Sequence, residues 1–332
     1  MANTVQTATA AAKVQPELGK EIKRAKFKSA LTSMISFLGL LVLVIFFQIV
    51  TQGNLLTVKN LNLIFNQGFA LFIASMAGIF VMSTGNLDFS MGAIVGFSCV
   101  CATLAATTIG PWAAIPVALL VGLGVGMLNG FAQTVLKLPS FLACLCMMFI
   151  LTAATQSLIT GTSIMMPLSM TFWETNARKI TFAVIYAVVM IVMFKYTKVG
   201  KELKCLGVSP EAARQSGVGV NRRIFLAYTI SGIAAGIAGF FLMLRTGGAA
   251  TTTGQTITTD VIVAVVFGGM AISGGASSKI SAAILGTLIV TVLNNGMVLA
   301  GFGGDAQQLV KGLLFLAIIA VSTKRSANVI IK

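Results

Sequence analysis

Two carboxylates, Asp88 and Asp260, stand closest to the interior of long apolar stretches. The amides Asn86, Asn129, Asn294 and Asn295 and the hydroxyl of Ser90 share those stretches. An ionisable side chain at membrane depth is costly and normally faces a bundle interior or an aqueous cavity. Together these seven residues could line a polar path in which a small solute exchanges hydrogen bonds with the wall. Helix capping competes for both acids. Asp88 precedes a glycine-rich helix start, and Asp260 opens its segment beside Thr258 and Thr259. Asparagines next to glycines also commonly bond across closely packed helices. The polar run Thr251-Thr252-Thr253-Gly254-Gln255-Thr256 fits either the mouth of such a path or a plain loop.

Other chemistries are poorly provided for. The 332 residues contain no histidine, which removes imidazole metal ligands and histidine acid–base catalysis. The five cysteines are Cys99, Cys101, Cys144, Cys146 and Cys205. The first four form two C-x-C pairs inside apolar runs, a spacing that points the two thiols to different sides of a helix. Neither a zinc site nor a disulfide framework fits, and small buried hydrophobes is the reading that remains. No G-x-x-x-x-G-K-[ST] nucleotide loop is present. Phe302-Gly303-Gly304-Asp305 misses an intramembrane protease G-x-G-D pattern by one glycine.

The elements that position these residues follow from composition. Hydrophobic residues make up 57% of the chain and charged residues 9%, with a mean hydropathy of +0.96. Water-soluble domains carry about a quarter charged residues, so lipid is the solvent for most of this chain. Apolar runs divide it into ten segments, 31–50, 64–83, 91–108, 112–135, 140–159, 180–197, 224–244, 258–273, 280–299 and 308–323. The eighth holds Asp260 and Gly268-Gly269 and is expected to be broken or to cross only partly. The expected fold is an all-α integral membrane protein of about ten transmembrane helices. A cytoplasmic tail over 1–30 precedes a permease domain over 31–323, and a second tail covers 324–332. About thirty polar residues precede the first apolar run, which is itself long enough to span, so this is an uncleaved first helix rather than a signal peptide.

The net charge of +15 reflects topology and gives no indication of nucleic-acid binding. With the N-terminus inside, eighteen of the 23 basic residues fall on the inner side, leaving Lys59, Arg178, Lys179, Arg245 and Lys311 outside. The positive-inside bias therefore places both termini in the cytoplasm. A short echo links Gly124-Val125-Gly126-Met127-Leu128-Asn129-Gly130 with Val290-Thr291-Val292-Leu293-Asn294-Asn295-Gly296, five segments later. An odd offset implies antiparallel copies, the inverted-repeat arrangement of many transporters.

The longest inner connection, 198–223, carries a second candidate site. Ser209 suits an N-cap, Pro210 the first helical position and Glu211 the positive end of the helix dipole, while Gly217 suits a left-handed stop. The helix this predicts over Ser209–Ser216 is too short to cross a bilayer. It can be a solvated loop helix or a docking peg, with Ala212 and Ala213 allowing close approach, Glu211 and Arg214 fixing register, and Gln215 and Ser216 completing the surface.

Four stretches resemble the ribose/galactose-type ABC sugar permeases: Val199-Gly200-Lys201 with Pro210 through Val218; Leu87-Asp88-Phe89-Ser90-Met91-Gly92; Ala264-Val265-Val266-Phe267-Gly268-Gly269 followed by Gly274-Gly275; and Leu293-Asn294-Asn295-Gly296. The likeness runs from about residue 35 to 322. The chain departs from that pattern at Asn86 (usually Gly), Thr258 (usually Glu) and Val208-Ser209 (usually Gly-Asn). The resemblance implies the pore subunit of a bacterial inner-membrane importer that moves a monosaccharide or similar small polar solute by alternating access. It implies a second permease copy, identical or related, and cytoplasmic ATPase subunits that carry ATP and Mg and dock on Ser209–Ser216. It further implies a periplasmic or lipid-anchored sugar-binding protein, and neither catalysis nor a cofactor in this chain. An ion-coupled secondary transporter is the alternative, although two marginal acids are thin provision for a driving ion.

Overall fold

The computed structural model describes residues 34–159 and 161–322; the two tails and residues 31–33 and 323 of the first and tenth segments lie outside them. The chain is an all-α membrane protein. In order, the helices are α1 (Met34–Val50), α2 (Val58–Ser83), α3 (Met91–Thr108), α4 (Ala114–Thr134), α5 (Ser140–Leu158) and α6 (Asn176–Lys195). They continue as α7 (Lys198–Val208), α8 (Pro210–Gln215), α9 (Val220–Thr246), α10 (Ile257–Phe267), α11 (Ser281–Leu299) and α12 (Gly304–Ser322). Among the described residues seven helices are long and apolar enough to cross a membrane: α2, α3, α4 with its preceding turn, α5, α6, α9 and α11.

Several helices begin earlier than the apolar runs suggest, because their first turns are polar. Thr57 accepts the amide of Asn60 at 3.4 Å and starts α2 at Val58. Helix α6 likewise opens on Asn176, and α9 on Val220 ahead of Asn221, Arg222 and Arg223. The eighth segment is a helix of only 11 residues. At 1.5 Å per residue it is about 16 Å long, roughly half the hydrocarbon thickness. Two further features went unforeseen: the amphipathic α7, and a pair of antiparallel strands, β1 (Ser163–Met165) and β2 (Gly248–Ala250).

The buried centre is made by α2, α3, α4, α9, α10 and α11, while α5 and α6 keep most of their apolar surface outward. The neighbours follow a pattern. Helix α4 packs on α9 and α3, and α3 on α9; likewise α11 packs on α2 and α10, and α10 on α2. Exchanging α2, α3 and α4 for α9, α10 and α11 leaves this set of contacts unchanged.

Glycine permits the closest of these crossings. A Cβ on Gly126 would sit 2.7 Å from the Tyr228 carbonyl and 3.0 Å from Gly232 Cα, and one on Gly122 would lie 2.8 Å from Gly236 Cα. Gly124, on the other side of α4, faces open space. Lipid supplies little hydrophobic drive between helices, so backbone-to-backbone van der Waals contact is what α4 and α9 gain here. Gly232→Val is therefore expected to destabilise the bundle by roughly 1–3 kcal/mol through overpacking, with Gly124→Ala near neutral. Thermal unfolding of the detergent-solubilised protein measures both, and equal effects would contradict the crossing.

Candidate functional site

Helix α9 ends at Gly247, whose φ of +71 supplies the left-handed stop after Thr246. The chain then runs into β2, which pairs with β1 in the register Ser163–Ala250, Ile164–Ala249 and Met165–Gly248. This ties the α5–α6 connection to the α9–α10 connection. Thr246 Oγ1 donates to the Gly248 carbonyl at 2.6 Å, and Thr253 Oγ1 accepts the Ala250 amide at 2.8 Å. The turn around Gly254 (φ +86) packs on Gly92 and Gly96 of α3. These contacts delay the start of α10 until the chain has turned back into the bundle.

The space left is a cavity of about 510 Å³. Gln67 of α2, Arg245 and Thr246 of α9, Thr252, Thr253 and Thr256 of the turn, Asn294 of α11 and Gln307 of α12 give it amides and hydroxyls, set among apolar residues that include Leu71, Ile164, Met165, Leu242, Ile257 and Val298. Asp260 lies on its floor. The carboxylate does not cap α10: it sits inside the first turn and pairs with Lys311 Nζ of α12 at 2.6 Å. Asn294 Nδ2 donates to its other oxygen at 3.2 Å. Both charged residues are buried, so Lys311, counted from sequence as an outer-side charge, belongs to the packed interior. Removing one member of a buried pair costs about 3–5 kcal/mol, because the survivor is left uncompensated.

The other candidate path residues lie elsewhere. Asp88 accepts from the Ser90 amide at 2.9 Å, from Ser90 Oγ at 2.6 Å and from Ser231 Oγ at 3.2 Å. Asn129 Nδ2 donates to the same Ser90 hydroxyl at 2.7 Å. This buried cluster fastens the α2–α3 connection to α4 and α9, and the Asp88 turn leads into α3 without capping it. Asn295 and Asn60 exchange amide bonds at 2.8 and 3.0 Å, joining α11 to α2. Asn86 donates to Thr84 Oγ1 at 3.0 Å within its own loop. Of the seven, Asp260 and Asn294 reach the cavity; Lys311, Gln67, Arg245 and Gln307 were missed. An isolated acid and an isolated lysine in two apolar segments were the available signal for the ion pair.

The peg lies at the opposite end of the bundle. β1 precedes α6 and α7 follows it; α8 precedes α9 and β2 follows it, so each helix separates the cavity from the peg by its whole length. Leu203 and Leu206 bury one side of α7, and Gly207 lets it meet the Ser83 carbonyl and the Gly275 backbone. Lys204 lies 4.6 Å from the Phe194 ring centre, and its pKa is lowered by partial burial and secondarily by Lys195. An ion pair between Arg223 and Glu202 clasps the loop. Ser209 Oγ accepts the Ala212 amide at 3.2 Å, Pro210 is the first helical residue, and Gly217 has φ +81. Pro210, Glu211, Ala212, Arg214, Gln215 and Ser216 are exposed, whereas Ala213 turns inward and is buried, so only Ala212 offers a small outer surface.

A multi-pass membrane protein with a polar cavity at one end and a capped, exposed helix at the other has the parts of a transport subunit. The family model described as "branched-chain amino acid transport system / permease component" matches residues 60–319, and the chain belongs to that permease family. It is similar to the ribose import permease of Bacillus subtilis, 31% identical over 94% of this chain and 99% of that one. It is also similar to the fructose import permease of Rhizobium meliloti (30%, covering 90% and 87%) and the galactofuranose transporter permease of Escherichia coli (28%, covering 86% and 85%). No solved structure matches. These relatives support a monosaccharide ABC transporter permease of the bacterial inner membrane.

A water-filled cavity predicts that Thr252→Cys, in a chain with its native cysteines replaced, reacts with a charged methanethiosulfonate. Ala264→Cys, fully buried in α10, should stay unmodified. Equal labelling of the two, followed by mass spectrometry, would contradict it.

Proposed function

We propose that this permease subunit imports a monosaccharide by alternating access, driven by ATPase subunits that dock on α8. The observation that carries the proposal is the placement of an exposed, capped helix at the end of the bundle away from the polar cavity. In this reading α8 faces the cytoplasm, the cavity faces the binding protein, and ten helices cross or enter the bilayer with both termini inside. The interchangeable contacts of α2–α4 and α9–α11 support an inverted repeat. Two permease copies, two ATPases carrying ATP and Mg, and a periplasmic or lipid-anchored binding protein complete the transporter. ATP binding draws the ATPases together, and α7 carries the motion of α8 to the end of α2 at Ser83 and to the turn at Gly275, against which it is wedged.

The solute assignment draws on the relatives and on the wall. Amide and hydroxyl groups such as those of Gln67, Thr252 and Asn294 suit the hydroxyls of a polyhydroxylated solute. Ion coupling is disfavoured because Lys311 already neutralises Asp260, one of the two acids a driving ion could use.

Glu211 and Arg214 form an exposed pair at 3.5 Å, worth little to folding. Reversing both, Glu211→Lys with Arg214→Glu, therefore leaves the fold intact but presents like charges to a docked partner, which costs several kcal/mol. ATPase co-purification and uptake are both expected to fall by roughly tenfold or more. Survival of both would remove α8 from the docking role.

A further inference from the structure

We propose that Asp260 and Asn294 form a hydroxyl-accepting floor to the cavity, and that Lys311 is the residue that positions it. This rests on the importer reading above. Asp260 gives one oxygen to Lys311 Nζ at 2.6 Å and the other to Asn294 Nδ2 at 3.2 Å. A carboxylate has about four lone-pair positions, so acceptor capacity remains. Donating its Nδ2 fixes the orientation of the Asn294 amide, and its buried Oδ1 then has no hydrogen-bond partner. A buried acceptor without a donor is a standing cost.

The nearest wall groups point elsewhere: Gln307 Nε2 donates to the Phe302 carbonyl, and Arg245 Nη1 to the Gln67 carbonyl. What the floor leaves open is the Asn294 oxygen and the remaining acceptor positions of Asp260, and neighbouring hydroxyls of a polyol provide two donors close together. Lys311 holds the carboxylate oriented and offsets its charge, so the floor can accept a neutral polyol without trapping a cation. Helix α12 packs chiefly on α10, and this pair is the polar bond between them.

The test uses cells making the complete transporter, with radiolabelled D-ribose, D-fructose and D-galactose as probes and ATPase co-purification as the measure of assembly. Three variants are compared with the wild type: Lys311→Arg, Lys311→Met, and Asp260→Asn combined with Lys311→Met. Replacing both buried charges by neutral side chains is structurally tolerable, so the double variant should assemble. Its maximal uptake rate should nevertheless fall by roughly tenfold to a hundredfold. The half-saturating concentration, set by the binding protein, should stay unchanged. Lys311→Arg should retain most of the rate and Lys311→Met should not. A double variant that transports like the wild type, or that fails to assemble, makes the pair structural and overturns the proposal. Uptake of none of the three sugars by the wild type overturns the importer reading and this one with it.

Discussion

Hydrocarbon offers no hydrogen bonds, so each polar group carried into the bilayer must be answered from within the chain. That constraint accounts for several of the polar contacts in the bundle. Asn60 and Asn295 satisfy each other across α2 and α11. Ser90, Ser231 and Asn129 gather around Asp88, and the buried Lys179 meets Asn66 Oδ1 at 2.6 Å. The glycine crossing of α4 and α9 obeys the same logic, since close backbones gain by contact what lipid withholds. Asn294 Oδ1 is one of seven buried side-chain atoms without a partner among the described residues, and it belongs to a residue that lines the cavity and bonds to a buried ion pair.

A second consequence concerns the two ends of the molecule. Irregular backbone is tolerated at membrane depth where it lines a cavity or is buried in protein. The β1–β2 pair and the turns at Gly247 and Gly254 are such backbone, and by delaying α10 they set Asp260 into the floor. At the other end α7 and α8 are polar enough to stay outside the bilayer, yet Gly200 and Gly207 seat α7 directly against the bundle. Helix α7 therefore meets the bundle through both backbone contacts and the buried side chains of Leu203 and Leu206.

Much of this was legible in the sequence. Low charge and long apolar runs gave the helical segments, the pattern from Ser209 to Gly217 gave α8 with its cap and stop, and the doubled glycines at 268 and 269 marked α10 as short. Polar first turns blurred the starts of α2, α6 and α9, because hydropathy does not register a helix before it enters lipid. The site was read less well. Asp260 and Asn294 are candidates from sequence, whereas Lys311, near the start of the tenth segment, counts only as an outer-side charge, since charge counting treats every lysine as solvated. Asp88, Ser90 and Asn129 share the residue types of a polar path, and the structure bonds them into a cluster between helices. Spacing along one chain cannot say which of two buried acids faces a cavity, because that depends on a strand pair between segments some 85 residues apart.

The most direct measurement is uptake into sealed proteoliposomes holding this permease with its ATPase and binding protein. A binding-protein-dependent importer accumulates radiolabelled sugar only when ATP reaches the ATPase side and the binding protein is present on the other. Accumulation driven by a proton or sodium gradient without ATP would contradict it.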